Sequence, residues 1–290
     1  MATSVWQLSR GRSIALDRPR LLGIVNVTPD SFADGGRLPD AAAARDHALK
    51  LVADGADAID VGGESTRPGA EGVPPDEQAA RVVPVIALIR AADERTPITV
   101  DTTRAAVARA AFEAGADAVN DVSAGTDDPA MLDLCAREDR GIVLMHRLTR
   151  PGADSFSDRY TAPPAYTDVV REIAEYLRSR ADAAVGAGVP RERIVVDPGL
   201  GFGKTVEQNL ELIRRTREIA SLGFPVLSAL SRKSFVGRAG LGRDSIPAER
   251  LAPTLALSVT HLHAGAAIFR VHDVAEHAAA LRAAAAATAP

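Results

Sequence analysis

Short apolar runs alternate with segments of helical period eight times along this chain of 290 residues. The runs are rich in β-branched residues and do not alternate with polar ones, which is typical of strands buried on both faces. Such strands, separated by helices, form a parallel sheet with right-handed crossovers. The predicted strands are 21–26, 57–62, 97–101, 117–121, 141–146, 193–197, 225–231 and 266–272. The predicted helices are 40–54, 76–92, 104–114, 128–138, 166–187, 206–220, 248–263 and 273–286.

Eight strand–helix units in a chain of this length fit a closed (β/α)8 TIM barrel. We therefore predict one α/β domain over residues 1–290, because no linker, low-complexity segment or charge run divides the sequence. Residues 1–20 precede the first strand and are predicted to form a hairpin that closes one end of the barrel. A doubly wound open sheet is the alternative, but no G-x-G-x-x-G follows the first strand.

Polar residues end the predicted strands. They are Asn26, Asp60, Asp101, Asn120, His146, Asp197, Ser231 and Arg270. In a barrel these ends meet at one face, where the active sites of this fold lie. Some of them are expected to cap the helices that follow, and Asp101, before Thr102 and Thr103, is the strongest candidate for that role. Capping does not account for so many carboxylates, amides and cations on one rim, so we predict a polar binding site there.

Two chemical zones can be distinguished on this rim. One zone offers planar acceptors and donors that suit a flat heterocycle with an N–H-rich edge, and it consists of Asp101, Asn120, Asp197 and Lys233. A buried carboxylate accepts two hydrogen bonds from an amino-imino edge, which gives strong and selective recognition. The other zone suits a phosphate or diphosphate and consists of Asn26, Arg67, Arg270 and His272, three of them potentially cationic. The amide oxygen of Asn26 is a candidate Mg²⁺ ligand there.

Several other functions are disfavoured by the sequence. The segment DPGLGFGKT (197–205) ends like a P-loop, but the glycine required five positions before Gly203 is replaced by Pro198, which has no N–H. No H-E-x-x-H, C-x-x-C or G-x-S-x-G motif is present. The net charge of −4 argues against nucleic acid or an anionic membrane as a partner, and no apolar stretch is long enough to span a membrane. The single cysteine, Cys135, and the absence of a signal peptide favour the cytoplasm.

Six segments resemble the signature blocks of the dihydropteroate synthase family, in the family's order. They are NVTPDSFADGG (26–36), GGESTRPGA (62–70), DAVND (117–121), DPGLGFGKT (197–205), SRKSFVGR (231–238) and FRVHDV (269–274). The resemblance implies a TIM-barrel transferase that joins 6-hydroxymethyl-7,8-dihydropterin diphosphate to 4-aminobenzoate, releasing pyrophosphate and forming dihydropteroate for folate synthesis. It also implies Mg²⁺ as the cofactor, a homodimer, and inhibition by sulfonamides.

The resemblance assigns roles to individual residues. The pterin would be held by Asp101, Asn120, Asp197 and Lys233, with Met145 and Phe202 lining its pocket. The Mg²⁺-diphosphate would be held by Asn26, Arg270 and His272, with Asp60 as support. The 4-aminobenzoate would be bordered by Phe32, Thr66, Pro68, Lys233 and Ser234, and its carboxylate would meet the helix N-terminus after Lys233. Asp34 and Arg67 would lie on loops that close the site, and the catalytic set would be Asp34, Arg67, Lys233, Arg270 and His272.

The segment HRLTRPGADSFSDRYTAPPAYTDVV (146–170) departs from the family pattern. It is longer than usual, lacks the family's Met-Gln, and has Arg147 in place of a second methionine. The loop 147–164 therefore leaves the wall of the pterin pocket unassigned. Two alternatives also remain open: a pterin-binding paralogue without synthase activity, and a methyl-tetrahydrofolate-binding methyltransferase barrel, although the latter has no diphosphate to bind.

Overall fold

The apolar runs form short strands, nearly all of whose residues are buried. The computed structural model describes residues 5–9, 11–28 and 40–288. Two strands, β1 (Val5–Gln7) and β2 (Ser13–Ala15), form an antiparallel hairpin. The remaining strands are β3 (Arg20–Asn26), β4 (Ala58–Gly62), β5 (Ile98–Asp101), β6 (Ala118–Asp121), β7 (Gly141–Met145), β8 (Ile194–Asp197), β9 (Leu227–Ser228) and β10 (Ile268–Val271).

Strands β3 to β10 form one parallel sheet with the order β8-β7-β6-β5-β4-β3-β10-β9. A parallel bridge between Val196 in β8 and Val226, just before β9, brings the two edges of the sheet together. The result is a nearly closed eight-stranded barrel, as the alternation in the sequence predicts, and the open doubly wound sheet is excluded.

The helices follow the strands around the outside of the barrel. They are α1 (Ala41–Ala53), α2 (Pro75–Ala92), α3 (Ala105–Ala114), α4 (Ala130–Arg137), α5 (Val169–Gly186), α6 (Val206–Arg214), α7 (Thr216–Ala220), α8 (Ser234–Leu241), α9 (Leu251–His263) and α10 (Val274–Thr288). Within the described ranges, no helix has both the length and the apolar character needed to cross a membrane.

Two predictions in the carboxyl-terminal half are corrected by the structure. The helix predicted at 206–220 is interrupted at Arg215, where the Thr216 hydroxyl donates to the carbonyls of Leu212 (2.7 Å) and Ile213 (3.0 Å). A hydroxyl that bonds to preceding carbonyls in this way competes with the helical pattern. Of the strand predicted at 225–231, only Leu227–Ser228 is a strand in the structure. Helix α8 begins a few residues later, at Ser234, and the periodicity did not predict it.

The amino-terminal hairpin lies against one end of the barrel. Trp6, Leu8 and Ile14 pack in one cluster with residues near the starts of the strands, among them Ala58, Ala118 and Ile268. The Trp6 indole also donates to the Arg193 carbonyl at 3.0 Å, just before β8. The hairpin therefore closes the amino-terminal end, as predicted, and leaves the carboxyl ends of the strands open.

Candidate active site

The strand register brings the predicted polar residues together at the open end of the barrel. Asp101 of β5 lies opposite Gly62 of β4 on one side and Asn120 of β6 on the other. A Cβ built on Gly62 would lie 3.8 Å from Asp101 Oδ2 and 3.9 Å from Asn26 Oδ1, so these two side chains approach each other across the glycine. Asn26, Asp101 and Asn120 therefore share one rim, although they are far apart in the sequence.

A buried ion-pair network joins opposite sides of the rim. Arg270 Nε donates to Asp60 Oδ2 at 2.5 Å, and Arg270 Nη2 donates to Asp101 Oδ2 at 2.8 Å. Asp60 also accepts from Thr99 and from Asn120 Nδ2, the latter at 3.2 Å. Asp60 is thus occupied by protein donors and supports its neighbours, while Arg270 lies between the two predicted zones rather than in the diphosphate zone alone.

Asn120 presents a hydrogen-bond acceptor with no protein partner. Because its Nδ2 donates to Asp60, the orientation of the amide is fixed and Oδ1 faces the other way. This oxygen is buried and accepts no hydrogen bond from the described residues. Buried acceptors are nearly always satisfied, so an unpaired one on the rim is suited to a ligand N–H.

Asp101 does not cap the helix that follows it. The N-cap residue of α3 is Arg104, and the N–H of the first helical residue, Ala105, donates to Asp128 Oδ2 at 2.8 Å. The Asp101 carboxylate instead faces Arg270. Burial raises the pKa of Asp101 to about 7, and the Arg270 guanidinium opposes this shift. A ligand N–H bound to Asp101 would therefore favour the ionised carboxylate.

Asp197 lies at the end of β8, buried opposite Met145. Its Oδ1 accepts the Gly199 N–H at 2.7 Å, which leaves Oδ2 for a ligand. Burial raises the pKa of Asp197, and the positive charge of Lys233 opposes the increase. The Lys233 ammonium donates to the Leu200 carbonyl in the same loop, and burial lowers the pKa of Lys233 to about 8. Asp197 and Lys233 thus stabilise each other's charge, and both contact the loop that follows β8.

A small apolar surface lies beside these polar groups. Val122, Met145 and Phe202 form a cluster separate from the main core. Lys233 Nζ lies 4.3 Å from the centroid of the Phe202 ring, within the range of a cation–π contact. Met145 and Phe202 were predicted to line the pocket, whereas Val122 was missed because a single valine after a strand carries no distinctive pattern. The combination provides an apolar face bordered by hydrogen-bonding groups.

His272 follows β10 and is held by Ser231. The Ser231 oxygen accepts the His272 backbone N–H at 3.2 Å and lies 3.0 Å from Nδ1. Because Ser231 engages Nδ1, Nε2 is the ring nitrogen left for a ligand. Burial, followed by the charge of Arg270, lowers the pKa of His272 to about 3. His272 is therefore neutral in the free protein at pH 7 and not the cation that the sequence suggested.

The loop after β4 carries Thr66, Arg67 and Pro68. Arg67 is exposed, and its guanidinium makes no ion pair with any residue in the described ranges. Thr66 and Pro68 are half-buried, and the Gly69 N–H donates to the Pro151 carbonyl at 2.8 Å. Phe32 and Asp34, predicted on the loop after β3, lie outside the described residues.

Ser234 is the first residue of α8, and Lys233 precedes it at the N-cap position. Within the described part of the chain, no side chain caps this helix, so none of these residues occupies its first N–H groups with a side-chain acceptor. A helix N-terminus of this kind favours an anion.

The long loop 147–164 contacts both sides of the site. Asp154 Oδ2 accepts the Gly203 N–H at 2.9 Å, and the Pro151 carbonyl accepts from Gly69 in the β4 loop. Arg147, which replaces the family's second methionine, pairs with Asp127 at 2.5 Å and does not enter the apolar cluster. One side-chain and one backbone contact therefore join this loop to the loops after β8 and β4, which the sequence did not reveal.

His146 was placed on the rim by the sequence, but its side chain lies beneath it. Its Nδ1 lies 3.0 Å from Lys204 Nζ, and its ring packs edge-on against Tyr176 at 4.9 Å between centroids. Lys204 is fully buried and lies just before helix α6. Thr205 does begin it, since its side chain forms a capping box with Gln208 at the start of α6.

Comparisons with known proteins identify the family of this chain. A family model described as "Pterin binding enzyme" matches residues 22–272. A dihydropteroate synthase of Streptococcus pyogenes is 44% identical over 264 residues, covering 91% of this chain and 94% of that protein. The chain belongs to the dihydropteroate synthase family. It is therefore an enzyme of the transferase class.

Solved structures of family members have the same fold. A Xanthomonas albilineans dihydropteroate synthase with 4-aminobenzoic acid is 42% identical, with a TM-score of 0.88 over 99% of this chain and 100% of that one. The Xanthomonas albilineans enzyme in complex with 7,8-dihydropteroate gives a TM-score of 0.83 at 40% identity, over 97% and 98% of the two chains. Members of the dihydropteroate synthase family thus share this barrel along nearly its whole length.

Proposed function

We propose that this enzyme condenses 6-hydroxymethyl-7,8-dihydropterin diphosphate with 4-aminobenzoate to give 7,8-dihydropteroate and pyrophosphate. The observation that carries the proposal is the unpaired Asn120 Oδ1, which lies on the same rim as the free oxygen of Asp197. Two buried acceptors beside an apolar surface suit the amino-imino edge of a pterin ring. Family membership supports the same reaction, since solved structures of related enzymes contain 4-aminobenzoic acid or 7,8-dihydropteroate.

The pterin ring would lie against Met145 and Phe202, with its N–H groups on Asp101, Asn120 and Asp197. Lys233 would donate to an acceptor on the opposite edge of the ring, because its ammonium lies beside the Phe202 face. Asp60 would hold Arg270 and Asn120 in place rather than contact the substrate, since its oxygens already accept three protein donors.

The diphosphate would be held by Asn26, Arg67, Arg270 and His272. Arg270 uses Nε and Nη2 in its carboxylate pairs, which leaves Nη1 available for a phosphate oxygen. His272 would donate from Nε2, and the pKa of His272 would rise once an anion binds beside it. Arg67, which is exposed and unpaired among the described residues, would clasp the anion from the β4 loop.

Mg²⁺ is proposed as the cofactor, with Asn26 as its protein ligand. No group of three or more His, Cys, Asp or Glu side chains in the described part of the chain could hold a metal. A lone amide oxygen on the rim still fits Mg²⁺, which commonly keeps several waters and binds substrate phosphates together with one or two protein oxygens. When bound, Mg²⁺ would supply Lewis-acid stabilisation of charge on the diphosphate.

The reaction needs no protein nucleophile. The C–O bond to the diphosphate would break with its electron pair leaving on oxygen, and the positive charge would spread into the conjugated pterin ring. Arg270 and Arg67 would stabilise the leaving diphosphate, while the carboxylates of Asp101 and Asp197 would stabilise charge on the pterin. The neutral amine of 4-aminobenzoate would then form the C–N bond and release its proton to solvent.

The 4-aminobenzoate would lie between the β4 loop and the start of α8. Thr66 and Pro68 would border its ring, together with Phe32 and Asp34 from the loop after β3. Its carboxylate would meet the uncapped N-terminus of α8 at Lys233 and Ser234.

The direct test supplies the pterin diphosphate, Mg²⁺ and 4-aminobenzoate and measures dihydropteroate by mass spectrometry. The wild-type enzyme is expected to form the product. Arg270→Gln should reduce turnover by about 100-fold or more, because one cation at the leaving group and two buried carboxylates lose their partner. Arg12→Gln is the matched control, since Arg12 pairs with the buried Asp117 at the opposite end of the barrel (3.1 Å). Pterin binding without product in the wild type would identify a non-synthase paralogue instead.

We also propose a cytoplasmic homodimer. The reducing cytoplasm suits the lone Cys135, whose thiol is free and buried. Analytical ultracentrifugation across a range of concentrations tests the assembly, and a monomer throughout that range would refute the dimer.

A further inference from the structure

The lysine of the GKT tripeptide is enclosed by its own loop. Lys204 Nζ donates to the carbonyls of Gly199 (2.9 Å) and Phe202 (2.7 Å), and lies 3.0 Å from His146 Nδ1. The side chain has no solvent exposure. Two backbone carbonyls accept from the Lys204 head group, and the His146 ring nitrogen is its third polar neighbour. The loop and His146 therefore enclose the Lys204 head group at a site that water does not reach.

The same loop is anchored from its other side by residues that were expected in the pterin site. Gly199 donates its N–H to Asp197, and the Leu200 carbonyl accepts from Lys233. Gly199 adopts a φ of +68°, and a Cβ at this position would lie 1.8 Å from the His146 carbonyl oxygen. The chain must therefore pass directly over His146, and this close passage points the Gly199 carbonyl toward Lys204.

Lys204 also acts on the charge of Asp197. Burial lowers the pKa of Lys204 to about 7, and Asp197 opposes this change. The reciprocal effect is that Lys204, together with Lys233, lowers the pKa that burial raises at Asp197. The other charged groups that influence Lys204 are Lys233 and Asp154. Burial and the Lys204 charge lower the pKa of His146 to about 2, so its ring is neutral beside Lys204.

We infer that Lys204 is a positioning residue of the pterin pocket, which shapes the loop 198–203 from below without touching the substrate. The inference rests on the proposed pterin site at Asp197. A nucleotide P-loop directs its N–H groups and its lysine toward a phosphate. Here the loop directs two of its carbonyls toward Lys204, so it binds the head group of its own lysine and not a phosphate.

The test compares Lys204→Met with wild type by calorimetry, using 6-hydroxymethylpterin and Mg²⁺-pyrophosphate as separate ligands. Methionine keeps the apolar stem and removes all three donors. Pterin affinity should fall by about 30-fold or more, because Asp197 loses a neighbouring cation and the loop loses its anchor. Pyrophosphate affinity should stay within about threefold, because the diphosphate residues do not contact Lys204. Lys50→Met is the control, since Lys50 is an exposed lysine paired with Asp54 on helix α1.

A second variant keeps the test decisive if Lys204→Met does not fold. His146→Phe removes only the third acceptor of Lys204 and retains an aromatic ring against Tyr176. It should weaken pterin binding by about three- to tenfold, again without loss of pyrophosphate affinity. ¹⁵N NMR of labelled lysine at pH 6 should show a protected Lys204 ammonium in the wild type.

The possible outcomes separate the two proposals. Equal pterin affinity in wild type and either variant, or a neutral Lys204 amine at pH 6, overturns the role of Lys204. Equal losses of pterin and pyrophosphate affinity also overturn it, since they would indicate a general structural defect. Failure of the wild type to bind pterin at all refutes the proposed function instead.

Discussion

Replacing Asp197 with asparagine tests the proposed recognition of the pterin most directly. The carboxylate is 2% exposed, and its Oδ1 is occupied by the Gly199 N–H at 2.7 Å. An asparagine that keeps this contact must present its Nδ2 donor where the free oxygen stood. Donor would then face donor at the amino-imino edge of the ligand, and Lys233 and Lys204 would lose a nearby negative charge.

The size of the effect follows from these contacts. Hydrogen bonds to a charged group contribute about 1.5–3 kcal/mol each. Losing the two that the amino-imino edge of the pterin would donate to Asp197 therefore costs about 3–6 kcal/mol. Since each 1.4 kcal/mol is a factor of ten, pterin affinity should fall by about 100-fold or more. Calorimetric titration with 6-hydroxymethylpterin measures this change, and circular dichroism establishes that the variant is folded.

Asp117→Asn is the matched control. Asp117 is also a fully buried carboxylate, but it pairs with Arg12 and Arg90 at the amino-terminal end of the barrel. This variant should be destabilised while its pterin affinity stays within about threefold, because distant sites act independently. Unchanged pterin binding in a folded Asp197→Asn protein would show that Asp197 does not recognise the ligand.

Three further predictions follow from the structure. Cys135→Ser should retain turnover within about threefold, because the thiol is buried in α4 away from the rim and burial raises the pKa of Cys135; a loss as large as that of a rim variant would contradict this. Binding of 4-aminobenzoate, and of sulfonamides, should require Mg²⁺-pyrophosphate and weaken in Arg67→Ala, because the anion draws the loops together; equal calorimetric affinity with and without pyrophosphate would mean that the pocket is preformed. Burial lowers the pKa of His146 to about 2 and the pKa of His261 and His272 to about 3, so these side chains bind protons below about pH 6.5 only in the unfolded protein. The stability that they contribute above about pH 6.5 should therefore decline toward about pH 4, and urea midpoints that do not change across this range would refute the shifts.

The amino-acid sequence is enough to predict the barrel and the residues of its rim. Unbroken apolar runs identify buried strands, because nearly every residue of a strand that is buried on both faces must be apolar. Closure of the barrel then places Asp101, Asn120 and Asp197 on one face, since parallel strands all end on the same side. The sequence blocks also indicated the family, which the comparisons confirmed, while the roles of individual residues remain predictions.

Which polar groups are free and which are occupied depends on the folded structure. Asp60 and Asn120 are both polar residues of barrel strands, yet Asp60 accepts from Thr99, Asn120 and Arg270, while Asn120 keeps an acceptor that no described residue fills. Likewise, the sequence placed His146 on the rim and Lys204 in a segment that ends like a P-loop, but the two side chains meet below the site. Such pairings depend on the direction of each side chain and on contacts between residues distant along the chain, which no local pattern records.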